Sequence, residues 1–201
     1  MIRCDQDGDL WRVTIDRPDK AGALTRDMLS DLADIAERAQ HAKALILTGT
    51  GSVFSAGADL DAAKAGLATD PVWERLSGAI AALPGMTIAA LNGTVAGGAF
   101  GMVLACDVRI AVPTAKFFYP VMKLGFLPQP SDPVRLNALV GPARAKMILM
   151  AGQKVAAAEA LGWGLVDRIV EPEALMNTAV GLAADVLRAD HAHITAIKHM
   201  V

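Results

Sequence analysis

The sequence feature that most constrains the fold is a long stretch without charge. From Leu76 to Cys106 no residue is acidic or basic, so most of this stretch has to be removed from water. A membrane helix needs about 20 consecutive apolar residues, but Pro84-Gly85, Asn92-Gly93 and Gly97-Gly98 divide the stretch into short pieces. Short pieces of this kind are typical of buried strands, turns and helices. We therefore predict a globular core and no membrane span.

Apolar runs alternate with amphipathic segments in much of the chain. "LWRVTID" (10–16) alternates as a half-buried strand does, whereas "ALILTG" (44–49) and "VRIAV" (108–112) are continuous apolar runs typical of buried parallel strands. Helices are predicted over 26–40, with Thr25 as the N-cap, and over 72–83. Strands that alternate with helices imply a parallel sheet joined by right-handed crossovers. The predicted fold class is α/β.

Composition narrows the class of protein further. A chain of 201 residues, 53% of them hydrophobic, suits a single domain over 1–201. The net charge of -2 and the absence of a basic stripe argue against nucleic-acid binding. Cys4 and Cys106 are predicted to be free thiols in a reducing compartment. The first residues carry charges where a signal peptide is apolar, so we predict a cytoplasmic protein.

Two glycine-rich turns follow predicted strands, "GSVFSAGADL" (51–60) and "NGTVAGGAFGM" (92–102). Ligands of open α/β sheets bind beyond the carboxyl ends of strands, and glycine lets a ligand approach the backbone closely. Neither turn fits a dinucleotide fingerprint or a phosphate-binding loop. The histidines at 191, 193 and 199 lack a Cys/His framework, so no metal site is predicted.

Four segments, in this order, resemble the enoyl-CoA hydratase/isomerase (crotonase) superfamily: "DRPDKAGAL", "VFSAGADL", "LNGTVAGGAFGMVLACDVRIA" and "AEALGWGLVDRIV". The resemblance covers about residues 10–170. It implies a crotonase fold of repeated ββα units and an acyl-CoA thioester as ligand, with no separate cofactor. It also implies a homotrimer or hexamer. Family members continue for several dozen residues beyond "HITAIKHMV", so we expect a short or truncated C-terminal helical region.

The resemblance also implies how the thioester is held. In the family, the backbone N–H groups that correspond to Ala58 and Gly98 clamp the thioester oxygen, where two donors stabilise an oxyanion. From the residues alone, Gly97 and Gly98 also fit a purely structural role in tight helix–strand packing. The family's contacts with the CoA moiety correspond to Lys20, Ala21, Ala23, Ala56 and Asp59. Asp59 also fits a helix cap.

The acid/base positions implied by the family are vacant. The two hydratase glutamates correspond to Gly101 and Val121, and the acid of some isomerases and hydrolases corresponds to Gln129, whose amide cannot remove a proton. Tyr119 and Asp132 remain as ionisable groups nearby. An ordinary tyrosine has a pKa near 10 and is a poor base. Asp132, or its neighbour Ser131, is predicted more readily as the cap of a helix over 134–140.

Two functions follow from the resemblance and its departures. The first is an enzyme of fatty-acid or acyl-CoA metabolism with enoyl-CoA isomerase- or hydratase-like chemistry, but not an efficient hydratase. The alternative is a non-catalytic acyl-CoA carrier or sensor that kept the N–H clamp and lost the acid/base residues.

Overall fold

The computed structural model describes residues 1–201, which form ten strands and ten α-helices. The strands are β1 (Ile2–Asp7), β2 (Leu10–Ile15), β3 (Ala44–Gly49), β4 (Val53–Ser55), β5 (Met86–Leu91), β6 (Thr94–Ala96), β7 (Val108–Ala111), β8 (Lys116–Phe118), β9 (Val155–Ala156) and β10 (Arg168–Ile169). The helices are α1 (Arg26–Arg38), α2 (Leu60–Lys64), α3 (Val72–Ala81), α4 (Ala99–Leu104), α5 (Val121–Leu124), α6 (Asp132–Leu149), α7 (Ala157–Trp163), α8 (Leu175–Leu182), α9 (Ala184–Arg188) and α10 (His191–Lys198).

The strands form two sheets. The larger has the order β1-β2-β3-β5-β7-β10, and the smaller has the order β4-β6-β8-β9. After β3, β5 and β7 the chain passes from the large sheet into the small one and returns through a helical segment. Neighbouring strands are parallel except at the β1–β2 and β8–β9 pairs. The predicted α/β fold of repeated ββα units is confirmed.

The centre of the large sheet is the centre of the core. Every residue of β3 before Gly49 is buried, as is every residue of β5 after Met86. Continuous apolar runs are typical of parallel strands that are covered on both faces. The charge-free stretch supplies β5, β6 and α4, as its interrupted pattern predicts. None of the helices has the length and hydrophobicity needed to cross a bilayer.

Three predicted helices differ from those observed, and one of them, α3, ends at Ala81 rather than at residue 83. Helix α1 begins after Thr25, whose Oγ1 accepts a hydrogen bond from the Met28 N–H at 3.3 Å, so the predicted cap is confirmed. It ends at Arg38 rather than at residue 40. Helix α6 is much longer than the predicted 134–140 segment and bends at Gly141, whose φ of 78° is non-helical and which precedes Pro142.

The N-terminal strand β1 was not predicted. Its sequence, "IRCDQD", is mostly polar, and four of its six residues are exposed. It lies at the edge of the large sheet, where it pairs only with β2. Because an edge strand does not need an apolar face on both sides, the alternation that identifies a half-buried strand is missing from its sequence.

Candidate active site

The two glycine-rich turns lie directly against each other. A Cβ atom added to Gly57 would lie 2.8 Å from the Ala96 carbonyl oxygen and 3.4 Å from the Gly98 nitrogen. Gly57 also has a φ of 88°, in the left-handed region that favours glycine. The close approach of the two turns therefore depends on glycine at position 57, for reasons of both space and backbone conformation.

The Ala58 N–H group has no partner, although both neighbouring residues form backbone hydrogen bonds with Leu24. The Leu24 N–H donates to the Gly57 carbonyl at 2.8 Å, and the Asp59 N–H donates to the Leu24 carbonyl at 2.8 Å. In an extended segment successive N–H groups point to opposite sides, so the Ala58 N–H faces away from Leu24. It has no acceptor within the protein.

The Gly98 N–H group is also without an acceptor in the protein. Its neighbour Gly97 has a φ of 57° and donates to the Phe118 carbonyl at 3.1 Å, and α4 begins one residue after Gly98. A Cβ on Gly98 would lie 3.2 Å from three ring atoms of Trp73. Packing against Trp73 thus explains why residue 98 has no side chain, and its position at the start of α4 leaves its N–H group free for a ligand.

The segments that the resemblance assigns to CoA binding lie side by side. The Ala56 N–H donates to the Ala21 carbonyl at 2.9 Å, and Lys20 is exposed in the same loop. Asp59 is the N-cap of α2, where one carboxylate oxygen accepts from the Asp61 N–H at 3.1 Å. Its other oxygen is 2.9 Å from Arg17 Nη1. The predicted cap is confirmed, so the Asp59 side chain is already engaged within the protein.

Ser55 joins the two segments and was not singled out from the sequence. Its buried hydroxyl donates to the Gly22 carbonyl at 2.8 Å and accepts from the Gly57 N–H at 3.1 Å. It therefore fixes the backbone immediately before Ala58. Its place directly before "AGAD" is the only signal in the sequence, and a serine in a loop has too many structural roles for that signal to be specific.

Gly101, which the resemblance aligns with the first hydratase glutamate, faces a carboxylate from elsewhere in the chain. A Cβ on Gly101 would lie 2.8 Å from Asp132 Oδ1. The Asp132 side chain is buried, its Oδ2 accepts a hydrogen bond from the Tyr119 hydroxyl at 2.9 Å, and its Oδ1 has no hydrogen-bond partner. The predicted cap at Ser131 or Asp132 is wrong, because no side chain caps α6. Val121, at the second glutamate position, is buried at the start of α5.

The surroundings of Asp132 favour its protonated form more than water does. The pKa of this carboxyl is raised to about 7, chiefly by burial, which outweighs the lowering effect of the Tyr119 hydrogen bond; Glu74 adds to the rise and Arg135 opposes it. Burial and the neighbouring carboxyl also raise the pKa of Tyr119 far above its usual range, so its hydroxyl stays protonated and donates. The Tyr119 ring stacks on Phe100 with centroids 5.4 Å apart.

Gln129 has a structural contact. Its buried side chain donates from Nε2 to the Ala68 carbonyl at 3.1 Å, and its backbone N–H donates to the Tyr119 hydroxyl at 3.5 Å. The amide thus ties the segment before α6 to the loop before α3. The three polar residues predicted near the acyl site, Tyr119, Gln129 and Asp132, are brought together.

Comparison with known proteins identifies the family. The enoyl-CoA hydratase/isomerase family matches residues 5–201. The chain belongs to this family. It is 36% identical over 192 residues to the short-chain-enoyl-CoA hydratase of Clostridium acetobutylicum, a match that covers 89% of this chain and 72% of that protein. It is 34% identical over 209 residues to the carnitinyl-CoA dehydratase of Salmonella arizonae, covering 99% of this chain and 79% of that protein.

Solved structures agree with this assignment. The enoyl-CoA hydratase/isomerase of Pseudoalteromonas atlantica superposes with a TM-score of 0.91 at 30% identity, over 99% of this chain and 81% of that chain. The enoyl-CoA hydratase of Bacillus anthracis superposes with a TM-score of 0.91 at 28% identity, over 98% of this chain and 81% of that chain. The crotonase fold predicted from four sequence segments is therefore confirmed.

Proposed function

We propose that this protein binds an acyl-CoA thioester and holds its carbonyl oxygen between the N–H groups of Ala58 and Gly98. The observation that carries the proposal is the contact between the two glycine turns, which brings together two backbone N–H groups without acceptors in the protein. Membership of a family named for reactions of enoyl-CoA supports the same ligand class. The loop from Lys20 to Ala23, beside Ala56, contributes the CoA contacts.

The N–H pair gives the site its chemistry. When a proton leaves the carbon next to a thioester, negative charge moves onto the thioester oxygen. Two fixed donors at that oxygen stabilise the charge without reorganising, and loss of one such donor typically costs about 2.7–4 kcal/mol of barrier. The proposed reaction class is therefore enoyl-CoA chemistry through an enolate, of the isomerase or hydratase type.

Efficient hydration is not part of the proposal. Neither Gly101 nor Val121 can take a proton from water or give one to carbon. A non-catalytic acyl-CoA carrier or sensor is the second candidate, and what favours it is that glycine and valine stand at the two positions, 101 and 121, that the resemblance assigns to the hydratase glutamates. Turnover with any acyl-CoA excludes the carrier.

We place either function in a homotrimer or hexamer, to be checked by sedimentation against the 21.0 kDa of one chain.

Calorimetry with acetyl-, butyryl- and octanoyl-CoA tests the ligand class. We expect binding in the micromolar range, about -8 kcal/mol. A crystal structure of the complex then tests the clamp, because the thioester oxygen should lie about 2.7–3.1 Å from the nitrogens of Ala58 and Gly98. Absence of binding to all three ligands, or an oxygen directed at solvent, contradicts the proposal.

A further inference from the structure

We propose that the Asp132 carboxyl, held by the Tyr119 hydroxyl and lying where a side chain at position 101 would begin, is the group that moves protons in this site. This inference rests on the proposed thioester clamp and names the residue that completes it. Two contacts and one unpaired atom carry it, namely the Gly101–Asp132 approach, the Tyr119–Asp132 hydrogen bond, and the Asp132 oxygen that has no partner.

The first contact is between Asp132 and α4. The Oδ1 atom lies where any side chain at position 101 would begin. Gly98 and Gly101 are three residues apart, so they lie on the same face of α4 about one turn from each other. The free carboxylate oxygen, against Gly101, therefore lies about one helical turn from Gly98.

The second contact fixes the carboxyl. Tyr119 donates to Oδ2 at 2.9 Å, and its ring is held by Phe100, so one oxygen is anchored and the other is left free. A buried carboxylate oxygen without a partner costs free energy in the folded state. A purely structural carboxyl would be expected to have both oxygens bonded. A free oxygen beside the clamp is what a proton-transfer group requires.

The charged groups around Asp132 come from the elements packed against it. Glu74 on α3 accepts hydrogen bonds from the backbone N–H and the hydroxyl of Ser131, at 3.0 and 2.9 Å. Arg135, one turn along α6, donates to the same hydroxyl at 2.9 Å. Glu74 and Arg135 both hydrogen-bond to Ser131 and not to Asp132. Tyr119 is therefore the only side chain that hydrogen-bonds to the Asp132 carboxyl itself.

One carboxyl is sufficient for a double-bond shift. Ionised Asp132 removes a proton from C2 of a 3-enoyl-CoA; the C–H electron pair forms a C1–C2 double bond, and the carbonyl π pair moves onto the thioester oxygen held at Ala58 and Gly98. The protonated Asp132 then returns the proton to C4. The C3–C4 double bond becomes C2–C3, the thioester carbonyl re-forms, and no other reactant is needed. Hydration would require a second acid/base group, which this site lacks.

Proton exchange at C2 tests the assignment whichever acyl chain the protein prefers. Each of butyryl-CoA and octanoyl-CoA is incubated with the protein in D₂O, and deuterium at C2 is followed by mass spectrometry, with conversion of 3-hexenoyl-CoA followed by NMR. We expect Asp132→Asn to lower the exchange rate of the wild type by at least about 100-fold, within the range for a positioned acid/base group. Binding of acyl-CoA should change by less than about threefold, about 0.7 kcal/mol.

The matched control is Asp190→Asn. Asp190 is also an aspartate at the start of a helix, where it caps α10 from an exposed position, and asparagine caps equally well. We expect Asp190→Asn to catalyse C2 exchange at the wild-type rate. If the wild type binds acyl-CoA but catalyses no exchange, or if Asp132→Asn exchanges as fast as the wild type, the assignment of Asp132 is wrong while the clamp stands. Failure of the wild type to bind instead contradicts the proposed function.

Tyr119→Phe separates positioning from a general loss of structure. The hydroxyl favours the ionised carboxyl, so its removal should move the midpoint of the exchange–pH profile upward from the wild-type value near 7. A change in stability alone would lower the rate without moving the midpoint. An unmoved midpoint contradicts the role of Tyr119.

Discussion

Asp132 lowers the stability of the fold at neutral pH. An aspartate in an unfolded chain has a pKa near 3.9, whereas burial raises the pKa of Asp132 to about 7 in the folded protein. Between these values the folded state binds the proton more tightly than the unfolded state does. Stability therefore falls as pH rises from about 4 to about 7, and the full penalty is present above that range.

The Asp132→Asn variant should remove this pH dependence. We expect the variant to gain on the order of 2–4 kcal/mol relative to the wild type between pH 4.5 and pH 8, since each unit of pKa shift corresponds to about 1.4 kcal/mol. Urea unfolding at the two pH values measures the difference, with Asp190→Asn as the control that leaves it unchanged. A gain of equal size at both pH values contradicts the linkage to Asp132.

Two helical glycines have opposite surroundings. A Cβ on Gly78, within α3, would meet no atom within 4 Å, whereas a Cβ on Gly101, within α4, would lie 2.8 Å from Asp132 Oδ1. Alanine is favoured over glycine inside a helix by about 1 kcal/mol. At position 101 the added methyl has to displace a carboxyl that Tyr119 holds, and overpacking of this kind typically costs about 1–3 kcal/mol.

The pair Gly78→Ala and Gly101→Ala therefore tests the packing of α4. We expect Gly78→Ala to raise the free energy of unfolding by roughly 0.5–1 kcal/mol and to leave C2 exchange unchanged. Gly101→Ala should show no such gain, and its exchange should fall by about tenfold or more, because the carboxyl is displaced. Denaturant unfolding and the deuterium assay measure both. If both variants gain the same free energy of unfolding and catalyse deuterium exchange at C2 at the same rate, the Gly101–Asp132 contact has no role.

At the scale of the whole molecule, the repeated ββα path assembles the site from segments far apart in sequence. Ala58 follows β4, Gly98 follows β6, and Asp132 begins α6 after β8. The three strands are neighbours in the small sheet, in the order β4-β6-β8. The order of the strands in the small sheet thus brings the parts of the proposed site together, and each ββα repeat supplies one part.

We expect this assembly to be a poor hydratase. Hydration of crotonyl-CoA needs one group to activate water and another to protonate carbon, each worth about 10²–10⁴-fold, and only one carboxyl is placed at the clamp. The rate should lie several decades below that of the short-chain-enoyl-CoA hydratase of Clostridium acetobutylicum, assayed in parallel. A turnover number within the usual range of about 1–10³ s⁻¹ shows instead that a second acid/base group is present.

The sequence by itself determined the fold and the backbone part of the proposed site. The continuous apolar runs of β3, β5 and β7, the cap at Thr25 and the two glycine-rich turns are local signals, because burial on both faces, helix initiation and close backbone approach each demand particular residues nearby. Four segments in the order of one family then placed Ala58 and Gly98. The polar edge strand β1 carried no such signal, because its residues are not required to be apolar.

Only the tertiary structure decided where the Asp132 carboxyl lies. Along the chain, an aspartate in "PSDPV" is typical of a helix cap, and the family resemblance alone aligns the glycine at position 101 with a hydratase glutamate. The packing of α6 against α4 places the carboxyl over that glycine and beside Tyr119. Contacts between residues distant in sequence depend on how whole elements pack, and one sequence carries no local signal for them. The same packing buries the carboxyl, which raises its pKa to about 7.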